Sequence, residues 1–216
     1  MSAGAQHQLV VARLRDEIRR LERRPARRDG SVPCGRAEVD HLLPGGGFPR
    51  GALTELAGGP ASGKTAVALA LFAALGPETL AAYVDGRGEL YPPAAAALGV
   101  DLARLLVVRP ASAAGGRHEP ALAVLWAAEA LLGSGAFAAV AVDALPVRGL
   151  RGADAVARRL QSAVEKGGAI GVWLAPLRSG LRLPAAARLE LAAAPGGIVA
   201  RRVDRLAGAG GACDAA

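Results

Sequence analysis

Large aromatic side chains are scarce in this sequence. Among its 216 residues are three Phe, two Tyr and two Trp, although hydrophobic residues make up 52% of the chain. A core built mainly from Ala, Leu and Val favours closely packed layers of helices and sheet. A chain of this length can bury one substantial core and carry a small appendage. We therefore expect one main α/β domain.

Cysteine is nearly absent, and long apolar runs are missing. Cys34 and Cys213 flank the expected core in segments that look flexible, and no Cys/His spacing is typical of a metal site. This usage is typical of a reducing cytosol. No run approaches the roughly 20 apolar residues that a membrane-spanning helix needs, and the N-terminus lacks the apolar stretch of a signal peptide. We expect a soluble, cytoplasmic protein without membrane contact.

Lysine is also rare, since only Lys64 and Lys166 occur, so the net charge of +7 comes almost wholly from arginine. A basic surface favours an anionic partner. The coding bias of an Arg- and Ala-rich genome explains the same composition equally well. The charge alone therefore does not choose between these two readings.

The N-terminal region, residues 1–28, is predicted to be a basic arm whose residues 8–24 form an amphipathic helix. Its apolar residues, three or four positions apart, form one stripe: Val11, Leu14, Ile18 and Leu21. The arginines around that stripe are candidate contacts to DNA or to a partner protein: Arg13, Arg15, Arg19, Arg20 and Arg23. A solvated helix face docked on the chain's own core accounts for the same pattern.

The remainder divides into a Pro/Gly-rich connector over residues 29–51, a nucleotide-binding domain over 52–205 and a disordered tail over 206–216. Expected strands and helices alternate within the domain. The strands are 53–57, 80–85, 105–109, 138–143 and 169–175, and the helices are 63–75, 91–98, 119–132 and 153–165. This alternation predicts a mostly parallel sheet flanked by helices on both faces. Two last strands, 187–192 and 198–203, are expected to form an antiparallel edge.

One run carries a specific chemical signature. Gly58, Gly59, Pro60, Ala61, Ser62, Gly63, Lys64 and Thr65 fit the G-x-x-x-x-G-K-[ST] pattern, after an expected strand and at an expected helix start. Backbone N–H groups of such a loop surround phosphates, and the helix dipole adds positive charge there. Lys64 would neutralise the outer phosphates, and the Thr65 hydroxyl would be a Mg²⁺ ligand. We predict ATP and Mg²⁺ as cofactors.

Asp143 is the second predicted Mg²⁺ ligand, because it ends an apolar strand at the position where such sites place a carboxylate. Capping the turn before Leu145 is the alternative role for this side chain.

In this order, the motifs resemble the core of RecA-like proteins over residues 39–203. The resemblance includes the phosphate loop, Tyr-Val-Asp at 83–85, Leu-Gly-Val-Asp-Leu at 98–102 and the run 105–110. Residues 39–47 leading into 50–55 look most like ImuA proteins, which are RecA-related accessory proteins of bacterial mutagenesis cassettes. The resemblance implies a RecA-like P-loop fold.

Two departures from that family matter for catalysis. Arg87 stands where the family's glutamate activates the attacking water, and a cation cannot accept that proton. Glu89, two residues on, is the candidate replacement as catalytic base. Ala175 and Pro176 stand where an Asn-Gln pair senses the terminal phosphate, and neither offers a side-chain polar contact. We therefore expect ATP binding with weak or no hydrolysis.

The two DNA-binding loops of the family also look shortened. They keep four arginines that could contact phosphates weakly and in a salt-sensitive way, or could be ordinary surface charges: Arg148, Arg151, Arg178 and Arg182.

The favoured reading is an adaptor in DNA-damage tolerance. By resemblance to ImuA proteins, its partners would be an inactive ImuB-like homologue of Y-family polymerases, an error-prone replicative-type polymerase and RecA. The alternative is a DNA-stimulated ATPase that acts as a recombinase paralogue and modulates RecA filaments. A nucleotide-gated signalling switch is a third reading. Fold likeness alone does not choose among them.

Overall fold

The computed structural model describes residues 30–110, 119–145, 152–177 and 181–203. The strands are β1 (Ser31–Val32), β2 (Phe48–Pro49), β3 (Ala52–Gly58), β4 (Ala81–Asp85), β5 (Leu105–Val108), β6 (Ala139–Asp143), β7 (Ile170–Ala175), β8 (Ala187–Ala194) and β9 (Gly197–Arg202). The helices are α1 (Ala37–Asp40), α2 (Lys64–Ala73), α3 (Pro92–Ala97), α4 (Glu119–Gly133) and α5 (Ala153–Gly167). Short 3₁₀ turns lie at Pro44–Gly46 and Leu102–Arg104.

Seven strands form one sheet in the order β5-β4-β6-β7-β3-β8-β9. All neighbouring pairs are parallel except β8 and β9, which are antiparallel and joined by the turn at Pro195 and Gly196. The predicted α/β fold with a mostly parallel sheet and an antiparallel C-terminal edge is confirmed. Only the last strand runs antiparallel, since β8 itself pairs parallel with β3.

Both faces of the sheet are covered, which explains why the strands read as continuous apolar runs. One face packs against α2 and α3 through residues such as Leu56, Val67 and Leu71. The other face packs against α4 and α5 and buries Trp173 and Leu160. Successive side chains of a strand point to opposite faces of the sheet, so alternate residues pack into the two separate cores.

Residues 30–51 pack onto the first of these cores. Val39 and Phe48 are fully buried in it, and β1 pairs with β2. Cys34 is also buried and its backbone N–H donates to Asp40 at 2.9 Å, so the expectation that Cys34 lies in a flexible segment was wrong. Burial raises the pKa of the Cys34 thiol to about 12. The division into connector and domain stays a prediction.

Several predictions fall outside the described residues, including the amphipathic helix at 8–24 and the tail at 206–216. Within the described ranges, no helix has both the length and the apolar character that crossing a bilayer requires.

The sheet topology determines where chemistry can occur. Because β3, β4, β6 and β7 run parallel, their carboxyl ends meet at one edge of the sheet. Gly58, Asp85, Asp143 and Ala175 are the last residues of these four strands. Ligands of open α/β sheets bind outside that edge.

Candidate nucleotide-binding site

The loop 58–65 connects β3 to α2 at this edge. Two of its residues have left-handed backbone angles, Ala61 with φ of 53° and Gly63 with φ of 87°. Gly63 is the N-cap of α2, so the free N–H groups at the start of the helix belong to this loop. Successive N–H groups in such a conformation form a concave anion site. The backbone is therefore shaped for phosphate.

Close packing restricts this loop to small residues at two positions. A Cβ added at Gly58 would lie 2.3 Å from Ser62 Oγ and 2.7 Å from the backbone oxygen of Leu191. A Cβ added at Gly63 would lie 2.5 Å from Ile198 Cγ2. Leu191 and Ile198 belong to β8 and β9, so the antiparallel edge supports the phosphate loop from one side.

Lys64 folds back onto its own loop. Its ammonium donates to Gly58 O at 3.0 Å, to Gly59 O at 2.7 Å and to Ser62 Oγ at 3.0 Å. Burial lowers the pKa of Lys64, the nearby Arg87 lowers it further, and Asp143 acts in the opposite direction. An ammonium has three donors, so Lys64 must exchange at least one of these bonds to contact a phosphate.

Asp143 lies in register with Asp85 on the neighbouring strand and is bound by a cation. Arg87 Nε lies 3.2 Å from Asp143 Oδ1, and the two side chains are 29% and 10% exposed. Burial raises the pKa of Asp143 to about 6 against the lowering effect of Arg87, and the charges of Glu89 and Asp85 raise it as well. Arg87 is thus the direct charge partner of the predicted metal ligand.

Thr65 lies near Tyr83, a residue that sequence reasoning did not assign to the site, and lowers the pKa of the Tyr83 hydroxyl against the effect of burial. Tyr83 is buried in β4, and burial raises the pKa of its hydroxyl. The alternation of side chains along β4 is the sequence signal that could have assigned Tyr83 to the site. Tyr83 and Asp85 are two residues apart, and their side chains therefore point to the face that carries α2.

Asp85 organises the loop that carries Arg87 and Glu89. Its fully buried carboxylate accepts the backbone N–H of Glu89 at 3.0 Å and of Leu90 at 3.2 Å. It also accepts Arg109 Nε at 2.9 Å, while Arg109 Nη2 donates to Leu90 O at 3.2 Å. The sequence places Asp85 and Arg109 in two family-like motifs but does not reveal that these distant residues clamp one loop.

The remaining predicted site residues are distributed as follows. Glu89 is exposed on the loop after β4, close enough to Asp143 to affect its pKa, and its catalytic role stays a prediction. Arg182 is exposed on the segment before β8. The other predicted arginine contacts lie outside the described residues: Arg13, Arg15, Arg19, Arg20, Arg23, Arg148, Arg151 and Arg178.

A cavity of about 360 Å³ opens beside the phosphate loop. It is lined by Gly59, Pro60 and Ser62 on one side and by β8 and β9 residues, with Leu177, on the other. It therefore lies between the phosphate loop and the antiparallel edge, where Arg201 and Glu190 form an ion pair.

The basic groups and the predicted Mg²⁺ ligands lie together at this edge of the sheet. Lys64 and the loop N–H groups supply the positive charge that phosphate needs, and Arg87 Nε contacts Asp143 Oδ1. Across the described ranges, no group of three or more His, Cys, Asp or Glu side chains is placed to hold a metal ion.

Comparison with known proteins identifies the family. The RecA N-terminal domain matches residues 12–153, which include the phosphate loop, Tyr83, Arg87 and Asp143. This chain belongs to the RecA N-terminal domain family. The RecA-like part of the sequence resemblance is thereby confirmed.

Among curated relatives, Protein RecA of Symbiobacterium thermophilum is 42% identical over 115 residues, which cover 53% of this chain and 31% of that protein. Protein RecA of Salinispora tropica is 39% identical over 129 residues, which cover 59% of this chain and 35% of that protein. The match spans about a third of the length of these RecA proteins.

Proposed function

We propose that this RecA-family chain binds ATP at loop 58–65 with weak or no hydrolysis and acts as an accessory or adaptor protein in DNA-damage tolerance. One observation carries the proposal. The phosphate loop has every residue of its pattern, while Arg87, paired with Asp143, stands where the resemblance to RecA-like proteins implies the catalytic glutamate. A guanidinium cannot take a proton from the attacking water. ATP then serves as a bound ligand that stabilises one surface of the protein.

The partners are proposed from the resemblance of residues 39–55 to ImuA proteins. They are an ImuB-like inactive homologue of Y-family polymerases, an error-prone replicative-type polymerase and RecA. This places the protein in translesion synthesis and damage-induced mutagenesis in the cytoplasm. The basic arm at 1–28 is the proposed docking element, and weak nucleic-acid binding by the arginine-bearing loops is part of the proposal.

An intact phosphate loop also supports a second function, that of a DNA-stimulated ATPase which modulates RecA filaments. In that case Glu89 is the base, since its side chain is exposed at the same edge and its charge reaches Asp143.

Hydrolysis measurements separate these two functions. Purified protein should release phosphate from ATP no faster than a Lys64→Ala variant prepared in parallel, with or without single-stranded DNA. Turnover that DNA stimulates, and that Glu89→Gln abolishes, would instead establish the ATPase.

A binding experiment tests the adaptor role. Deletion of residues 1–28 should weaken capture of an ImuB-like partner at least tenfold, since the deletion removes the apolar stripe and its arginines together. Unchanged capture would assign the arm to another role.

A further inference from the structure

An apolar row runs along the outer surface of α4. Leu122 is 46% exposed and Trp126 is 70% exposed, and Ala130 is exposed one turn further along the helix. Residues four positions apart are neighbours on a helix surface, so these three side chains form one continuous strip. The other tryptophan of the chain, Trp173, is buried. An exposed apolar strip that contains a large aromatic is typical of a protein-docking surface.

A groove of about 480 Å³ lies beside this row, between α4 and α5. Trp126 lines it from α4, and Lys166 lines it from α5. Small residues bring the two helices close together beneath the groove, since a Cβ built at Gly133 would lie 3.6 Å from Ala163 Cβ. The groove is therefore a cleft between two packed helices, with an apolar wall on one side and a polar wall on the other.

The charges around the groove do not cancel. Arg159 Nε donates to Glu129 Oε1 at 3.0 Å across the two helices, so these two lining charges offset each other. Lys166 is exposed, and Arg158 is exposed two turns earlier on the same face of α5. Within the described ranges, neither of these two side chains forms an ion pair. The polar wall therefore carries a net positive charge.

The sign of that charge selects the occupant. The basic arm at 1–28 would bring its arginines against Lys166 and Arg158, and like charges oppose this placement. Nucleic acid would match the cations, but Leu122 and Ala130 offer no hydrogen bond to a phosphate or a sugar. A helical peptide with an apolar strip and flanking carboxylates matches both the row on α4 and the cations on α5.

We propose that the groove between α4 and α5 docks an acidic amphipathic helix of a partner protein. Trp126 is the apolar anchor of this surface, and Lys166 is the cation that selects the charge of the partner. Loop 58–65 does not line the groove. This docking surface goes beyond the proposed function, and its existence depends neither on ATP binding nor on the arm at 1–28.

Fluorescence anisotropy of labelled peptides, titrated with the full chain, tests the proposal. Two peptides of about five helical turns share one leucine strip and differ only in flanks of glutamate or of lysine. The glutamate peptide should bind at least tenfold more tightly than the lysine peptide. Exchange of the charge in Lys166→Glu should reverse this preference, because the new carboxylate repels the first peptide and attracts the second.

Truncation of the anchor gives a second, independent readout. Trp126→Ala should weaken binding of the glutamate peptide at least tenfold, because it removes the largest apolar side chain of the row. Tyr91→Ala is the matched control, since Tyr91 is an aromatic residue of similar exposure, 66%, that precedes α3 and does not line the groove. The control should bind the glutamate peptide as the wild-type chain does.

The contrary outcomes are equally definite. Equal affinity for the two peptides, no binding of either, or binding that Trp126→Ala leaves unchanged overturns the proposal. So does tighter binding at this groove of a peptide of residues 8–24 or of single-stranded oligothymidine, which would assign the groove to the arm or to nucleic acid. None of these results bears on ATP binding, so the nucleotide site stands or falls by its own measurements.

Discussion

Two loops at the carboxyl edge of the sheet match the RecA-like sequence pattern to different degrees. The loop after β3 retains every position of the phosphate-binding pattern, whereas the loop after β4 carries Arg87 where the sequence resemblance implies a glutamate. The first loop works through its backbone, with Ala61 and Gly63 in left-handed conformations. The second works through side chains that a single substitution can change.

On the proposed function, phosphate binding and phosphate cleavage depend on separable parts of the fold. The backbone cradle is fixed by packing against β8 and β9, so it is maintained as long as the domain folds. The second loop is held by the clamp of Asp85 and Arg109, whose contacts do not involve the side chain at position 87.

The largest expected effect tests the packing of the first loop. Gly58→Ala should lower the free energy of unfolding by about 3 kcal/mol, because its Cβ would collide with Ser62 Oγ and with the backbone of Leu191. Gly59→Ala is the matched control, since no described heavy atom lies within 4 Å of a Cβ built there. Urea denaturation of both variants measures the difference. Equal stabilities would show that the loop relaxes freely and is not fixed by packing.

A second prediction separates binding from folding. Lys64→Ala should raise the dissociation constant for ATP about 100-fold, equivalent to about 2.7 kcal/mol, while leaving the fold intact. Lys166→Ala removes the only other lysine, which is exposed near the end of α5, and should leave affinity unchanged. Calorimetric titration of the two variants provides the comparison. A similar affinity for both would mean that the phosphate loop is not the nucleotide site.

Much of the first loop was predictable from sequence, because its signal is local. Glycine spacing, a preceding apolar strand and a following helix together identified residues 58–65, and the strand alternation gave the parallel sheet. The observed α2 runs from Lys64 to Ala73 against the expected 63–75, a difference confined to the helix ends.

The second loop could be predicted only in part. The sequence identified Arg87 and Asp143 individually but not their contact, since they belong to different strand ends 56 positions apart. The clamp between Asp85 and Arg109 and the effect of Thr65 on the pKa of Tyr83 were missed for the same reason. Such pairs depend on strand order, and strand order follows from the whole sheet rather than from any one segment.

The smallest expected effect is on the pKa of Asp143, and it tests how strongly the charge of Arg87 acts on that carboxyl. Its pKa of about 6 lies above the ordinary value of 3.8. Between these two values the folded state binds more protons than the unfolded state, so this carboxyl makes stability fall as pH rises from about 4 to 6. Removing Arg87 removes an opposing positive charge. Arg87→Gln should therefore raise the Asp143 pKa by about one unit and extend this fall in stability to higher pH.

Carboxyl-carbon NMR titration of the nucleotide-free protein measures this pKa directly. The accompanying loss of stability above pH 6 should be about 1 kcal/mol, detectable as a lower urea midpoint for Arg87→Gln than for Arg104→Gln. Arg104→Gln is the control because it removes the same charge from the turn before β5. An Asp143 pKa that does not move when Arg87 is replaced would show that the 3.2 Å contact carries little electrostatic weight in solution.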